Sequence, residues 1–122
     1  MELIAIEEDG VRVLEGQPEQ PFLSSVKDMN RIIEACYPAD TNLVLLYAPN
    51  LTSAFFDLSS GEAGEILQKV QTYHMRLAIV CPPDSVQYSS RFGEMLSETR
   101  QSRYFKVFET RREARAWLDR VA

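Results

Sequence analysis

Two serines and a glycine, Ser59-Ser60-Gly61, head a stretch whose apolar residues recur at helical spacing. Ser59 and Glu62 have the spacing of a capping box, in which the hydroxyl accepts the Glu62 N–H and the carboxylate reaches back to the Ser59 N–H. Ala63, Ile66, Leu67 and Val70 then make one buried face, with Glu62, Glu65 and Lys69 on the other. The chemistry open to such a helix start is anion chemistry. Free N–H groups and the positive end of the helix dipole favour a bound anion, or a phosphate carried by a serine. Asp57 and Glu62 oppose a phosphate there, and capping alone is the plainer role for both serines. Asn50, Thr52 and Asp57 follow the carboxyl end of an apolar strand, where ligands of open α/β sheets bind, so they are candidates to line a pocket. Hydrogen bonding within their own loop is the commoner use of these residue types.

The remaining reactive side chains suggest less. His74 is the single histidine, reads as a helix-end surface residue and lacks a second imidazole for a metal. Cys36 and Cys81 fall in apolar patterns without metal spacing and are expected in the core as reduced thiols. No phosphate-binding glycine loop, zinc spacing or nucleophile elbow occurs, and nothing in sequence supplies a base for Ser60. A non-enzymatic protein without a cofactor is therefore expected.

The net charge of −5 argues against general nucleic-acid binding. The charge is unevenly spread. Residues 91–122 hold eight Lys/Arg against five Asp/Glu, or +3, and residues 1–90 hold five against thirteen, or −8. Arg100, Arg103, Lys106, Arg111, Arg112 and Arg115 give the last third its sign and are candidates for a partner or anion surface, a solvated face being the plainer reading. No apolar run approaches the roughly 20 residues of a membrane span, and Met1-Glu2-Leu3-Ile4 lacks the basic start of a secretory signal, so a cytoplasmic location is expected.

The elements that must position these residues follow from periodicity. Leu3 to Ile6 and Val11 to Val13 flank Asp9-Gly10, a two-residue hairpin turn signal. Phe22, Val26, Met29, Ile33 and Cys36 mark one face of a helix ended by Tyr37-Pro38-Ala39-Asp40. Leu43-Val44-Leu45-Leu46-Tyr47 is an unbroken apolar run, expected as a central strand covered on both faces. The helix of residues 60–74 follows, then the strand Arg76-Leu77-Ala78-Ile79-Val80-Cys81, stopped by Pro82-Pro83. A helix marked by Tyr88, Phe92, Met95, Leu96 and Thr99 comes next, then the alternating strand Tyr104 to Phe108. Thr110 and Glu113 form a second capping box ahead of a stripe of Ala114, Trp117, Leu118 and Val121. The order β-β-α-β-α-β-α-β-α over residues 1–122 predicts a single α/β domain with a mostly parallel sheet, flanking helices and right-handed crossovers.

This order resembles the STAS fold of sulfate transporters and anti-sigma factor antagonists, where a central strand leads to a helix beginning Asp-Ser-Ser-Gly. In the antagonists the serine before the glycine is phosphorylated. Asp57, Ser59, Ser60 and Gly61 are the comparable residues, and Ser60 matches the phosphorylated position. Leu58, inserted after Asp57, and the residue pattern after Gly61 depart from that motif. A fuller resemblance is to the bacterial domain of unknown function 4180 family, carried by Asn50-Leu51-Thr52, Phe55-Phe56-Asp57-Leu58, Gly61, Ala63-Gly64-Glu65-Ile66-Leu67-Gln68-Lys69 and Leu77-Ala78-Ile79-Val80. The resemblances imply a STAS-like regulatory module that binds a protein partner through residues 50–61. The alternative is a binder of a small anion or lipid-like ligand at the start of the 60–74 helix. A homodimer through an exposed apolar face or the N-terminal hairpin edge is compatible with either.

Overall fold

A computed structural model describes residues 3–17, 29–51, 62–82, 93 and 103–121. Strands β1 (Ile4–Glu8), β2 (Val11–Glu15), β3 (Leu43–Tyr47), β4 (Arg76–Val80) and β5 (Phe105–Phe108) lie side by side in that order in one mixed sheet. β1 and β2 pair antiparallel, and the three pairs from β2 to β5 are parallel. Three helices belong to the described residues: α1 (Met29–Ala39), α2 (Glu62–Thr72) and α3 (Arg111–Val121). The helix expected ahead of β5 falls on residues outside the described ones, except Gly93, which is helical.

The hairpin forms because Asp9 and Gly10 take left-handed backbone, φ 53° and 80°, which matches the right-handed twist of the paired strands. Its register sets Glu8 opposite Val11 and Ile4 opposite Glu15. In the parallel part, alternate residues feed two cores. Leu14, Val44, Leu46, Leu77, Ile79 and Phe105 face Met29 and Ile32 of α1 and Ile66 and Val70 of α2. Val13, Leu43, Leu45, Ala78 and Val80 face Ala114, Trp117 and Leu118 of α3. The apolar run of β3 is thus buried on both faces, as its composition predicts.

Two helices end alike. At α1 the Thr41 N–H bonds the Cys36 carbonyl (3.3 Å) and the Asp40 N–H bonds that of Tyr37 (3.2 Å), with Asp40 left-handed at φ 54°. At α2 the Met75 N–H bonds the Val70 carbonyl (2.9 Å) and the His74 N–H that of Gln71 (3.1 Å), with His74 also at φ 54°. Both are Schellman closures with a non-glycine residue in the αL position. α1 continues through Pro38 to Ala39, beyond the end expected at about Cys36, and the closure satisfies the Cys36 and Tyr37 carbonyls of its last turn. His74 is exposed, as expected of a helix-end residue. Cys36 and Cys81 correct the expectation of full burial: each is a half-buried cysteine outside any disulfide, at the margin of the α1/α2 core. Burial still pushes the Cys36 thiol up to about 11. Among the described residues, no helix is long and apolar enough to cross a membrane.

Candidate functional site

The carboxyl ends of β2 and β3 and the start of α3 converge on one cluster of charged and polar side chains. Three features of the sequence bring them together. The hairpin puts Glu8 and Glu15 on the same sheet face as Ile4, Ile6, Val11 and Val13, the face that α3 covers. Helical spacing puts Arg111 and Arg115 one turn apart, beside the buried stripe of Ala114, Trp117 and Leu118. Parallel pairing of β2 with β3, Glu15 with Leu45, brings the end of β3 within reach of Glu15.

Arg111 is the centre of the cluster. Its Nε and Nη2 donate side-on to Glu15, at 3.0 Å to Oε2 and 2.9 Å to Oε1, and Nη2 also donates to Glu8 Oε2 at 2.7 Å. The Tyr47 hydroxyl donates to Glu15 Oε2 at 2.7 Å. One turn on, Arg115 is buried at 5% exposure and spans the hairpin. Its Nη1 donates to the Ile6 carbonyl (3.3 Å), and its Nη2 donates to those of Glu8 (3.3 Å) and Val11. Its Nε has no hydrogen bond but lies 3.7 Å from Glu8 Oε1 and 3.5 Å from Asp119 Oδ1, so the buried charge is compensated by ion pairing.

The electrostatic consequences are consistent. The hydrogen bond from Arg111 holds the Glu8 carboxyl below its ordinary range, with the charges of Arg111 and Arg115 adding to it. Contact with Glu15 and Glu8 raises Arg111 further above the range of any physiological titration. Burial, then the bond to Glu15, pushes the Tyr47 phenol up to about 12. Tyr47 is therefore a neutral donor and not a base, and Arg111 is a cation already saturated by two carboxylates.

Asn50, the first of the sequence-nominated site residues, sits beside this cluster in the 3₁₀ turn Ala48–Asn50. It is fully buried. Its Oδ1 accepts the Tyr47 N–H (2.7 Å) and its Nδ2 donates to the Gln17 carbonyl (2.7 Å), so it ties the exit of β3 to the exit of β2. A Cβ on Gly16 would overlap this carboxamide, which explains a glycine there. Thr52, Asp57, Ser59, Ser60 and Gly61 lie outside the described residues. The structure therefore brings Asn50 to the carboxyl edge and says nothing of the other five.

Sequence reading missed Glu8, Glu15, Tyr47 and the inward turn of Arg111 and Arg115. The signal was present in the spacing: 111, 115 and 118 fall on one helical face, so two arginines ride along the apolar stripe. The charge asymmetry of the chain is thus partly spent inside the molecule, acidic hairpin against basic helix. Arg112 and Arg103 remain exposed, Lys106 lies over the Trp117 ring (5.8 Å), and Arg100 lies outside the described residues. Among the described residues, surface depressions lie at the carboxyl ends of α1 and α2, one lined by Cys36, Tyr37 and Asn42, the other by Gln68, Lys69 and Tyr73. Among the described residues, no group of three or more His, Cys, Asp or Glu is arranged to hold a metal ion.

Comparison with known proteins places the chain in one family. No curated protein and no solved structure matches it. The model of the domain of unknown function DUF4180 matches residues 8–118, which takes in every described strand and helix in whole or in part, and the chain belongs to that family.

Proposed function

We propose that the chain is a non-enzymatic, STAS-like regulatory module that binds another protein through residues 50–61. The observation that carries this reading is the Asn50 bracket. It anchors the first residue of the proposed contact region to β2 and β3, at the carboxyl edge where open α/β sheets present their ligands. A rigid root is what a recognition segment needs if binding is not to cost its full ordering entropy. The order of strands, an antiparallel hairpin leading into consecutive parallel strands with α1 and α2 on one face, supports the STAS-like reading. The neighbouring ionisable groups support binding over catalysis, since Tyr47, Glu15, Glu8 and Arg111 are committed to one another. A cytoplasmic, bacterial setting belongs to the same proposal.

Regulation would act through charge at Ser60, next to the helix start. The test is a pull-down from host-cell extract with wild-type protein and Ser60→Asp, partners being identified and quantified by mass spectrometry. A partner whose recovery changes about tenfold is expected, the equivalent of about 1.4 kcal/mol from a charge at a helix terminus meeting a complementary or opposing surface. Recovery of the same partner in equal amount by both proteins would overturn the regulatory reading. A small-molecule adduct seen in native but not denaturing mass spectra would replace it with a ligand-binding role.

A further inference from the structure

β1 is held to the sheet in a way that the other strands are not. No residue of β1 is buried; Ile4 is 49% exposed, Ala5 and Glu7 are exposed, and Ile6 and Glu8 are half-buried. β3 and β4, by contrast, each bury four of five residues. Apolar packing therefore contributes little to keeping β1 in place. Leu3, just before β1, packs against the α1/α2 core, and the tertiary attachment of the strand itself is polar and comes from α3. Arg115 reaches across both strands of the hairpin, donating to the Ile6 and Glu8 carbonyls of β1 and to the Val11 carbonyl of β2. Arg111 holds the Glu8 carboxylate at 2.7 Å while its other donors hold Glu15 of β2. Two guanidinium groups thus staple the edge strand to its neighbour.

We infer that β1 is a releasable strap, which opens as one unit from the edge of β2 while the rest of the sheet stays closed, and that the Glu8 contact with the α3 arginines sets how often it opens. This goes beyond the proposed role of residues 50–61 and does not depend on it. Strap opening uncovers the backbone donors and acceptors along β2, the only described sheet edge that the chain itself covers with so little apolar contact. Segments of low burial and polar attachment are where local opening concentrates.

The geometry gives the inference a sharp signature. In a two-residue hairpin the closing pair, Glu8 and Val11, is hydrogen-bonded, so by alternation Ile6 with Val13 and Ile4 with Glu15 are bonded too. Gly16 of the same segment donates instead to Leu45 of β3 (2.9 Å), and alternation assigns Leu14 to β3 as well. Residue-resolved amide hydrogen exchange on the full chain should therefore split β2. The amides of Ile4, Ile6, Glu8, Val11, Val13 and Glu15 exchange with one common protection factor, and those of Leu14 and Gly16 exchange far more slowly, with β3 and β4. Glu8→Gln, which removes a charge from a half-exposed position and leaves the fold intact, should raise exchange of that first set about fivefold and leave the second set unchanged. Moving from low salt to about 0.5 M salt should narrow the difference between the two proteins, because the contact is partly open to solvent.

Three results would overturn the inference. Simple fraying would give a gradient, fast at Ile4 and slow at Glu8 and Val11 beside the turn. Global opening alone would give β1 the protection of β3. An equal acceleration of every amide by Glu8→Gln would show that the contact stabilises the whole fold and not the strap.

Discussion

Gly16 and Asn50 offer a perturbation whose cost can be worked from geometry. Asn50 is fully buried and satisfies one donor, the Tyr47 N–H, and one acceptor, the Gln17 carbonyl, each at 2.7 Å. Asn50→Ala leaves both without that partner, at about 1–3 kcal/mol for each group stranded from water. Partial access of water on the Gln17 side brings the expected total to about 3 kcal/mol. Gly16→Ala, in an otherwise unchanged chain, drives a methyl group into the Asn50 carboxamide and towards Leu46 Cδ2 at 3.2 Å. Overpacking of this kind costs about 1–3 kcal/mol. The two costs must not add. Once Asn50 is alanine the main obstacle to the Gly16 methyl is gone, so the second substitution should cost under about 1 kcal/mol in that background, with a coupling of about 1–2 kcal/mol. For a domain of this size each kcal/mol moves the melting temperature by about 4 °C. Urea denaturation of the four proteins, followed by far-UV circular dichroism, measures the cycle. Costs that add to within about 0.5 kcal/mol would refute the claim that Gly16 is there to admit Asn50.

Two further outcomes follow from the perturbed groups. Tyr47 should ionise near 12, visible as a phenolate step in an ultraviolet titration that is lost in Tyr47→Phe. Because the folded value lies above the ordinary one near 10, the associated stability is fully present below pH 10 and declines as pH rises from 10 through 12. Cys36, with its thiol near 11 in place of 9, should hold about a hundredfold less thiolate at pH 8 than an unperturbed cysteine. Alkylation of the native protein, mapped by peptide mass, should modify Cys36 correspondingly slowly, and denaturant should abolish the delay.

What could be read from sequence was whatever depends on period and turn chemistry. Asp9-Gly10, the unbroken apolar run of β3 and the stripe of α3 each fix their own element, and the described sheet assembles from them. The Thr110 capping box is present with a difference: its hydroxyl accepts the Glu113 N–H (3.2 Å) and also donates to the Glu113 carboxylate (3.0 Å), so that carboxylate serves the side chain. The extension of α1 through Pro38 escaped notice because αL closure at an aspartate has no strong sequence mark. The charged cluster escaped notice for a different reason. Glu8 and Arg111 are 103 residues apart, and composition treats each half of the chain as a separate charge. Only the topology, which lays α3 back over the hairpin face, turns two unbalanced halves into one paired core of charge. Asn50 was nominated as a pocket residue for its position, and its place in the structure came from a partner, Gln17, that a loop in sequence does not reveal.

The long reach of those arginines bears on how the protein is made. Each parallel strand meets its neighbour soon after it emerges, since strand order follows chain order. The hairpin pairs first of all, and only its fastening to α3 comes late. Glu8 and Glu15 leave the ribosome early, and their guanidinium partners follow roughly a hundred residues later. At about 5–20 residues per second the first strand waits on the order of 5–20 seconds for its fastening. Throughout that interval the hairpin carries Glu8 and Glu15 without their guanidinium partners, and their charge is itself a guard against edge-to-edge pairing with a neighbouring nascent chain.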